Sequence, residues 1–144
     1  METISYKSQK LLPGVILDKQ SGTFQIYGKS CPENAAEFYK PIFNWFDQYK
    51  KNPLGSTTLD FKMTYFNTVS AKVFYMIIAK MEDLSDSGHD VKIRWYYPAG
   101  DEDVEEAGEE FDDIFKLEFE HISVVTETNE PEELDMDEYL NDII

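Results

Sequence analysis

The residues of this chain best placed for chemistry stand in the run Tyr65-Phe66-Asn67-Thr68-Val69-Ser70-Ala71-Lys72. Before it, Leu59, Phe61, Met63 and Tyr65 alternate with Thr58, Asp60, Lys62 and Thr64, the two-residue period of a strand with one wet face. After it, as far as about Ser85, Val69, Val73, Ile77 and Met81 recur every fourth residue with Phe74 and Ile78 beside them. That is helical spacing. Asn67 or Thr68 must therefore cap the helix, because both side chains accept hydrogen bonds from the orphan N–H groups of a first turn. A hydroxyl at such a place has a second use. Free amides and the positive end of the helix dipole would stabilise a phosphate attached there. Lys72, one turn further on, adds a cation. An Asn-Thr pair ahead of an apolar helix is most often only a cap, so spacing alone does not make Thr68 a phosphoacceptor.

Other candidates carry less. No glycine-rich phosphate loop is present. His89 reads as a turn residue and His121 as a strand residue, without cysteine or histidine partners at metal-ligand spacing. Cys31 stands at a predicted helix start, where a thiol pKa is lowered, but no independent feature supports a Cys–His pair. The run Asp101-Glu102-Asp103-Val104-Glu105 invites a calcium test. A calcium loop wants glycine at its sixth place and glutamate at its twelfth, and those positions hold Glu106 and Asp112. The acids read instead as a solvated helix face, or as a docking surface for a basic partner through Asp101, Glu102, Asp103, Glu106, Glu109 and Glu110. No active site, metal or cofactor is expected.

The elements that would position these residues follow from the same periodicities. Residues 1–13 read as a loosely packed arm. Val15-Ile16-Leu17 and Thr23–Tyr27 form a hairpin around the turn Lys19-Gln20-Ser21-Gly22. Pro32-Glu33 opens a helix that runs to about Lys51, with Phe38, Ile42, Trp45, Phe46 and Tyr49 as its core stripe and a bend at Pro41. Asn52-Pro53-Leu54-Gly55 turns into the strand and helix around Thr68. Val91, Ile93, Trp95 and Tyr97 alternate in a further strand ended by Pro98-Ala99-Gly100. Asp101–Ile114 is an acidic third helix with Val104, Ala107, Phe111 and Ile114 inward, and Leu117, Phe119 and His121 mark a last strand. The order is β-β-α-β-α-β-α-β. Each strand keeps one apolar face, so the fold class is α/β with two layers, a mixed sheet carrying its helices on one side. Residues 1–125 form one domain; 126–144 form an acidic tail in which Leu134, Met136, Tyr139, Leu140, Ile143 and Ile144 could make a short docking helix.

Composition sets the outer limits. A chain of 144 residues that is 42% hydrophobic and 15% aromatic can build a core. One cysteine excludes an internal disulfide and fits a reducing compartment. No leader pattern or long apolar run is seen, so a soluble cytoplasmic protein without membrane contact is expected. The formal charge of −16 repels nucleic acid and anionic lipid. Nine of the acids fall in 101–113 and eight in 127–142.

Four ordered segments resemble a known family. Tyr65-Phe66-Asn67-Thr68-x-Ser70-x-Lys72 is similar to the signature of the SiaC-type biofilm-regulation phosphoproteins. Three further segments agree with it: Gly28-Lys29-Ser30-x-Pro32-Glu33-Asn34-Ala35, then Phe38-Tyr39-x-Pro41-Ile42-x-x-Trp45, then Trp95-Tyr96-Tyr97 with Asp101-Glu102-Asp103-x-x-Glu106-x-Gly108-Glu109-Glu110-Phe111. The resemblance covers about residues 13–123. It implies a STAS-like fold, similar to anti-sigma factor antagonists, and a non-enzymatic partner-switching role. Thr68 would be phosphorylated by a cognate serine/threonine protein kinase and dephosphorylated by a metal-dependent serine/threonine phosphatase. The unmodified form would bind and activate a diguanylate cyclase, raising cyclic di-GMP. Asn67 would shape the helix start, Lys72 would border the site, and Tyr65 and Phe66 would hold the strand end. Val69 departs from the family, which commonly has a second hydroxyl residue there; that weakens any claim that Ser70 substitutes for Thr68. An anti-sigma factor antagonist in a stress response is an alternative output. A rival of another class is an acidic decoy for basic nucleic-acid-binding proteins, whose binding would depend on the 101–113 acids and ignore Thr68.

Overall fold

Ten residues, Val15, Leu17, Phe24, Ile26, Leu59, Phe61, Met63, Val91, Ile93 and Trp95, take alternate places along four strands, and all are buried. They form the floor of a single core. In the computed structural model, which describes residues 1–125, these strands belong to one six-stranded sheet. Its elements in chain order are β1 (Ile4–Tyr6), β2 (Gly14–Asp18), β3 (Thr23–Ser30), α1 (Ala35–Tyr49), β4 (Ser56–Phe66), α2 (Thr68–Asp86), β5 (Asp90–Pro98), α3 (Glu102–Ile114) and β6 (Glu118–Val124). The strands lie in sequence order, β1-β2-β3-β4-β5-β6. The first two pairings are antiparallel and the last three parallel.

That order explains the two layers. Each parallel pair needs a crossover, and crossovers are right-handed. Because β3 to β6 are added in one direction without reversal, all three crossovers place their helices on the same side. Tyr39, Ile42, Trp45 and Phe46 of α1, Phe74, Ile77, Ile78 and Met81 of α2, and Val104 and Phe111 of α3 accordingly pack into the one core. The other face carries the polar register: Gln25 beside Asp60 beside Arg94 beside Glu120, and Tyr27 beside Lys62 beside Tyr96. There Arg94 donates two hydrogen bonds to the buried Asp60 carboxylate at 2.7 and 2.9 Å.

The mixed two-layer α/β sheet is as expected, with local differences. The N-terminal arm contributes a strand: Ile4–Tyr6 pairs with Val15–Leu17, and the Trp45 indole N–H donates to the Glu2 carbonyl at 2.8 Å. The first helix begins at Ala35 and not at Pro32. Asn34 caps it, its side-chain oxygen accepting from the Glu37 N–H at 3.1 Å. Its inward stripe centres on Tyr39, fully buried, with Phe38 only partly covered. Ile114, expected inward, is 54% exposed. The chain leaves the helical conformation at Phe115, and this next ring turns in to pack 5.0 Å from Tyr75. The proposed docking helix of the tail lies outside the described residues.

Candidate functional site

The parallel arrangement gathers three helix starts on one edge. Asn34, Asn67 and Asp101 cap α1, α2 and α3 just beyond the C-terminal ends of β3, β4 and β5, the edge at which α/β sheets present their functional groups. Asn67 and not Thr68 is the cap of α2: its side chain accepts from the Ser70 N–H at 2.9 Å. Thr68 is the first helical residue and faces solvent. Among the described residues nothing hydrogen-bonds to its hydroxyl.

A β-bulge aims this segment. Between Gly28 and Lys29 the register with β4 slips, so that Met63 pairs with Gly28 but Tyr65 pairs with Lys29. Thr64 is the extra residue, its hydroxyl donating to the Gly28 carbonyl at 3.3 Å, and Gly28 adopts φ 89°, which glycine tolerates best. The slip inverts the alternation. Tyr65, in phase with the buried residues by period, is 55% exposed, and Phe66 turns inward. Phe66 packs at 5.2 Å from Phe74 and 5.9 Å from Trp95. Of the two aromatic residues expected to hold the strand end, Phe66 does so and Tyr65 does not. Bulges recur beside functional sites because they re-aim side chains in this way.

Beneath Thr68 lies a buried hydroxyl network. Ser70, fully buried, donates to the Ser30 carbonyl at 2.8 Å and lies 2.7 Å from the Ser30 hydroxyl. The Ser30 hydroxyl is in turn 2.7 Å from Tyr39 Oη, and the Asn67 N–H donates to the Ser30 carbonyl at 3.2 Å. Burial pushes the Tyr39 phenol well above its usual pKa, so it stays protonated. The network ties the first turn of α2 to β3 and α1. It also separates two neighbouring hydroxyls by function: Ser70 is enclosed where Thr68 is open. Ser30 and Tyr39 were visible in the sequence without a role, because only the fold brings residue 30 to residue 70. Ser70→Ala is expected to lower stability by about 1–2 kcal/mol, since Ser30 keeps its bonds to Tyr39 and Asn67. Urea unfolding measures this, and an unchanged midpoint would contradict the network's role.

The outer surface of α2 differs from the periodic expectation. Val69, expected in the core stripe, is 51% exposed, because Ser70 takes the inward place in the first turn. Val69, Lys72 and Met76, itself 49% exposed, share the solvent side of the helix. Tyr75 and Ile114 are exposed nearby in the fold, across the Tyr75–Phe115 contact. The acids of α3 divide. Asp101 has a structural task, accepting from the Val104 N–H at 3.1 Å, whereas Glu102, Asp103, Glu106, Glu109 and Glu110 are exposed. His121 lies 2.7 Å from Asp112. No helix among the described residues is long and apolar enough to cross a membrane.

Comparison with known proteins agrees with this arrangement. Residues 6–124 match the family described as SiaC family regulatory phosphoproteins. An uncharacterised protein of Pseudomonas aeruginosa (strain UCBPP-PA14) is 31% identical over 99 residues, 69% of this chain and 79% of that protein. SiaC of Pseudomonas aeruginosa has a similar structure, with a TM-score of 0.79 at 26% identity over 86% of this chain and 100% of that one. The SiaC fold is also matched in the crystal structure of the diguanylate cyclase SiaD in complex with its activator SiaC from Pseudomonas aeruginosa, at TM-score 0.79, 26% identity, 84% of this chain and 99% of that one. The matched region includes Thr68 and stops short of residue 126. By sequence and by fold alike, this chain belongs to the SiaC family of regulatory phosphoproteins.

Proposed function

We propose that this protein is a partner switch in which Thr68 is the phosphoacceptor and the unmodified form binds and activates a diguanylate cyclase. The observation that carries the reading is the placement of Thr68: an open hydroxyl on the first turn of α2, capped by Asn67 and flanked by the exposed Val69, Lys72 and Met76. A kinase can reach that oxygen without unfolding anything. The same surface offers apolar area to a partner, and exposed apolar groups grouped on one element mark interaction sites. The cyclase is proposed because the SiaC of Pseudomonas aeruginosa, similar in fold, is the activator in complex with the diguanylate cyclase SiaD. A dedicated serine/threonine kinase would write the mark and a metal-dependent phosphatase would remove it.

The physics of the switch is local. A phosphate adds roughly −1.5 to −2 charges at neutral pH. On the first turn of α2 it meets free amides and the helix dipole, so the fold accepts it. At an interface the same charge must be desolvated, and it sits on an edge already bearing Glu102 and Asp103. Phosphorylation is expected to weaken cyclase binding at least about tenfold, equivalent to about 1.4 kcal/mol. Val69→Asp should imitate that loss without removing the acceptor. Titration of the cyclase with unmodified, phosphorylated and Val69→Asp protein, with cyclic di-GMP production followed in parallel, is the test. Equal affinity of all three forms would exclude this face as the regulated interface.

A further inference from the structure

The buried hydroxyl network under the first turn of α2 runs in a single direction, and that direction gives Tyr39 a task. Ser30, Tyr39 and Ser70 are all fully buried, so each hydroxyl proton there needs an acceptor. The Ser70 hydroxyl lies 2.8 Å from the Ser30 carbonyl, which can only accept, so the Ser70 proton goes to that oxygen. The 2.7 Å contact between the Ser70 and Ser30 hydroxyls is then donated by Ser30. The 2.7 Å contact between Ser30 and Tyr39 is donated in turn by the phenol. In the reverse order the Tyr39 proton finds no acceptor among the described residues, and two oxygens face each other unbridged across the 2.8 Å between Ser70 and the carbonyl. Donation therefore passes from Tyr39 on α1 to Ser30 at the end of β3, and from there to Ser70 on α2. Because Ser30 and Ser70 each accept one such bond and donate the next, polarisation adds along the chain. Burial holds the phenol well above its usual pKa, which keeps the first donor protonated.

The chain of donors ends at a point that brackets Thr68. The Ser30 carbonyl accepts from the Ser70 hydroxyl at 2.8 Å and from the Asn67 N–H at 3.2 Å. The Asn67 side chain accepts the Ser70 N–H at 2.9 Å, and its carbonyl accepts the Ala71 N–H at 3.0 Å. The residues on either side of Thr68 and Val69 are thus fixed to one oxygen. Thr68 is itself exposed, so this backbone turn sets where its hydroxyl points. We propose that Tyr39 is a positioning residue for phosphoryl transfer to Thr68. Through Ser30 and Ser70 it holds the first turn of α2 in the geometry that presents Thr68 Oγ1 to ATP on the kinase. This role rests on the Thr68 reading. In the transfer, Oγ1 bonds to the γ-phosphorus and the bond from that phosphorus to the bridging oxygen of the departing ADP breaks. The Thr68 proton passes to a base of the kinase. Such a step depends mainly on alignment, and a misplacement of about 1 Å costs on the order of a hundredfold. Docking of the kinase depends instead on the exposed surface, of which the fully buried Tyr39 forms no part.

Tyr39→Phe keeps the ring and removes the first donor. With the full chain as varied substrate of the proposed cognate kinase, at a temperature where every variant is folded, kcat should fall about tenfold and KM should stay unchanged. Ser30→Ala, which breaks the chain one step further on, should give the same split. Tyr49→Phe is the control. It removes a buried hydroxyl at the other end of α1, 2.6 Å from Thr57 Oγ1 and accepting from the Leu54 N–H at 3.2 Å. If the Tyr39 hydroxyl only stabilised the core, Tyr39→Phe and Tyr49→Phe would both lose stability and neither would lose kcat. Amide hydrogen exchange reads the turn without the kinase: in Tyr39→Phe the Ser70 and Ala71 amides should exchange about tenfold faster, with Ile77 and Ile78 unaffected. An unchanged kcat, an equal fall in Tyr49→Phe, or unchanged exchange at Ser70 and Ala71 would each overturn the role. Phosphate gained by the unmodified sequence at another residue sinks the Thr68 reading and this role with it. Labelling at Thr68 with equal kcat in Tyr39→Phe sinks this role alone.

Discussion

Thr68→Ala is expected to abolish phosphate transfer from the proposed cognate kinase and to leave stability within about 0.5 kcal/mol of the unmodified sequence. Both halves of this expectation come from one placement. The Thr68 side chain is exposed and Asn67 supplies the cap, so removing the hydroxyl strands no buried partner. Alanine is, if anything, a better helix former at that position. The nearest alternative acceptor is Ser70, which is fully buried and hydrogen-bonded to Ser30. A kinase would have to open the first turn of α2 to reach it. Intact-mass analysis after incubation with kinase and ATP reads the first half, and urea unfolding reads the second. A variant that still gains one phosphate would show that the acceptor lies elsewhere.

Gly108→Val is expected to destabilise the fold by about 3 kcal/mol or more without altering Thr68. Gly108 lies in the middle of α3, where glycine costs about 1 kcal/mol relative to alanine. The reason for glycine is the Trp95 ring, which lies so close that a Cβ on residue 108 would overlap its Cδ1 and Nε1 atoms. Trp95 is fully buried and its indole N–H donates to the Val104 carbonyl at 2.8 Å. Any side chain at 108 must push α3 off the sheet or the indole out of its seat, breaking that hydrogen bond. Trp95 also touches Phe61, Phe66, Phe74 and Phe111, so the cost falls on the shared core, whereas Thr68 is exposed on the first turn of α2. Phosphorylation rate therefore serves as a second readout: it should fall only when the protein begins to unfold. A midpoint shift below about 1 kcal/mol would mean that α3 has room this packing does not show.

The two variants separate the chemistry from its support. Thr68 is exposed on the first turn of α2, whereas Gly108 is packed directly against the Trp95 ring. Phe66 connects them, since it ends β4 next to Asn67 and leans on the same indole as Gly108.

Much of this was legible in the order of residues. A short apolar run marked β2, alternation marked β3 to β6, the 3.6-residue period marked all three helices, and cap chemistry put the end of β4 against the start of α2 within one residue. These are short-range properties, fixed by which side of a strand or helix each residue occupies and by which side chain can satisfy a free N–H. Period failed where a distant partner intervened. Tyr65 fell in phase with the buried residues, yet the bulge opposite Gly28 turned it outward and Phe66 inward. Val69 fell in the helical stripe, yet Ser70 took the inward place because Ser30, forty residues away, offers it two oxygens. Gly108 has no local reason to stand in the middle of a helix, and only the approach of Trp95 gives it a purpose. The arm before Gly14 held too few apolar residues to announce β1, which exists because β2 presents an edge to pair with.

The sequence by itself thus determined the succession of elements and the position of the candidate hydroxyl at a helix start. The tertiary structure alone decided which of two neighbouring hydroxyls, Thr68 or Ser70, faces solvent. That choice depends on contacts between β3, α1 and α2, and no local pattern encodes them.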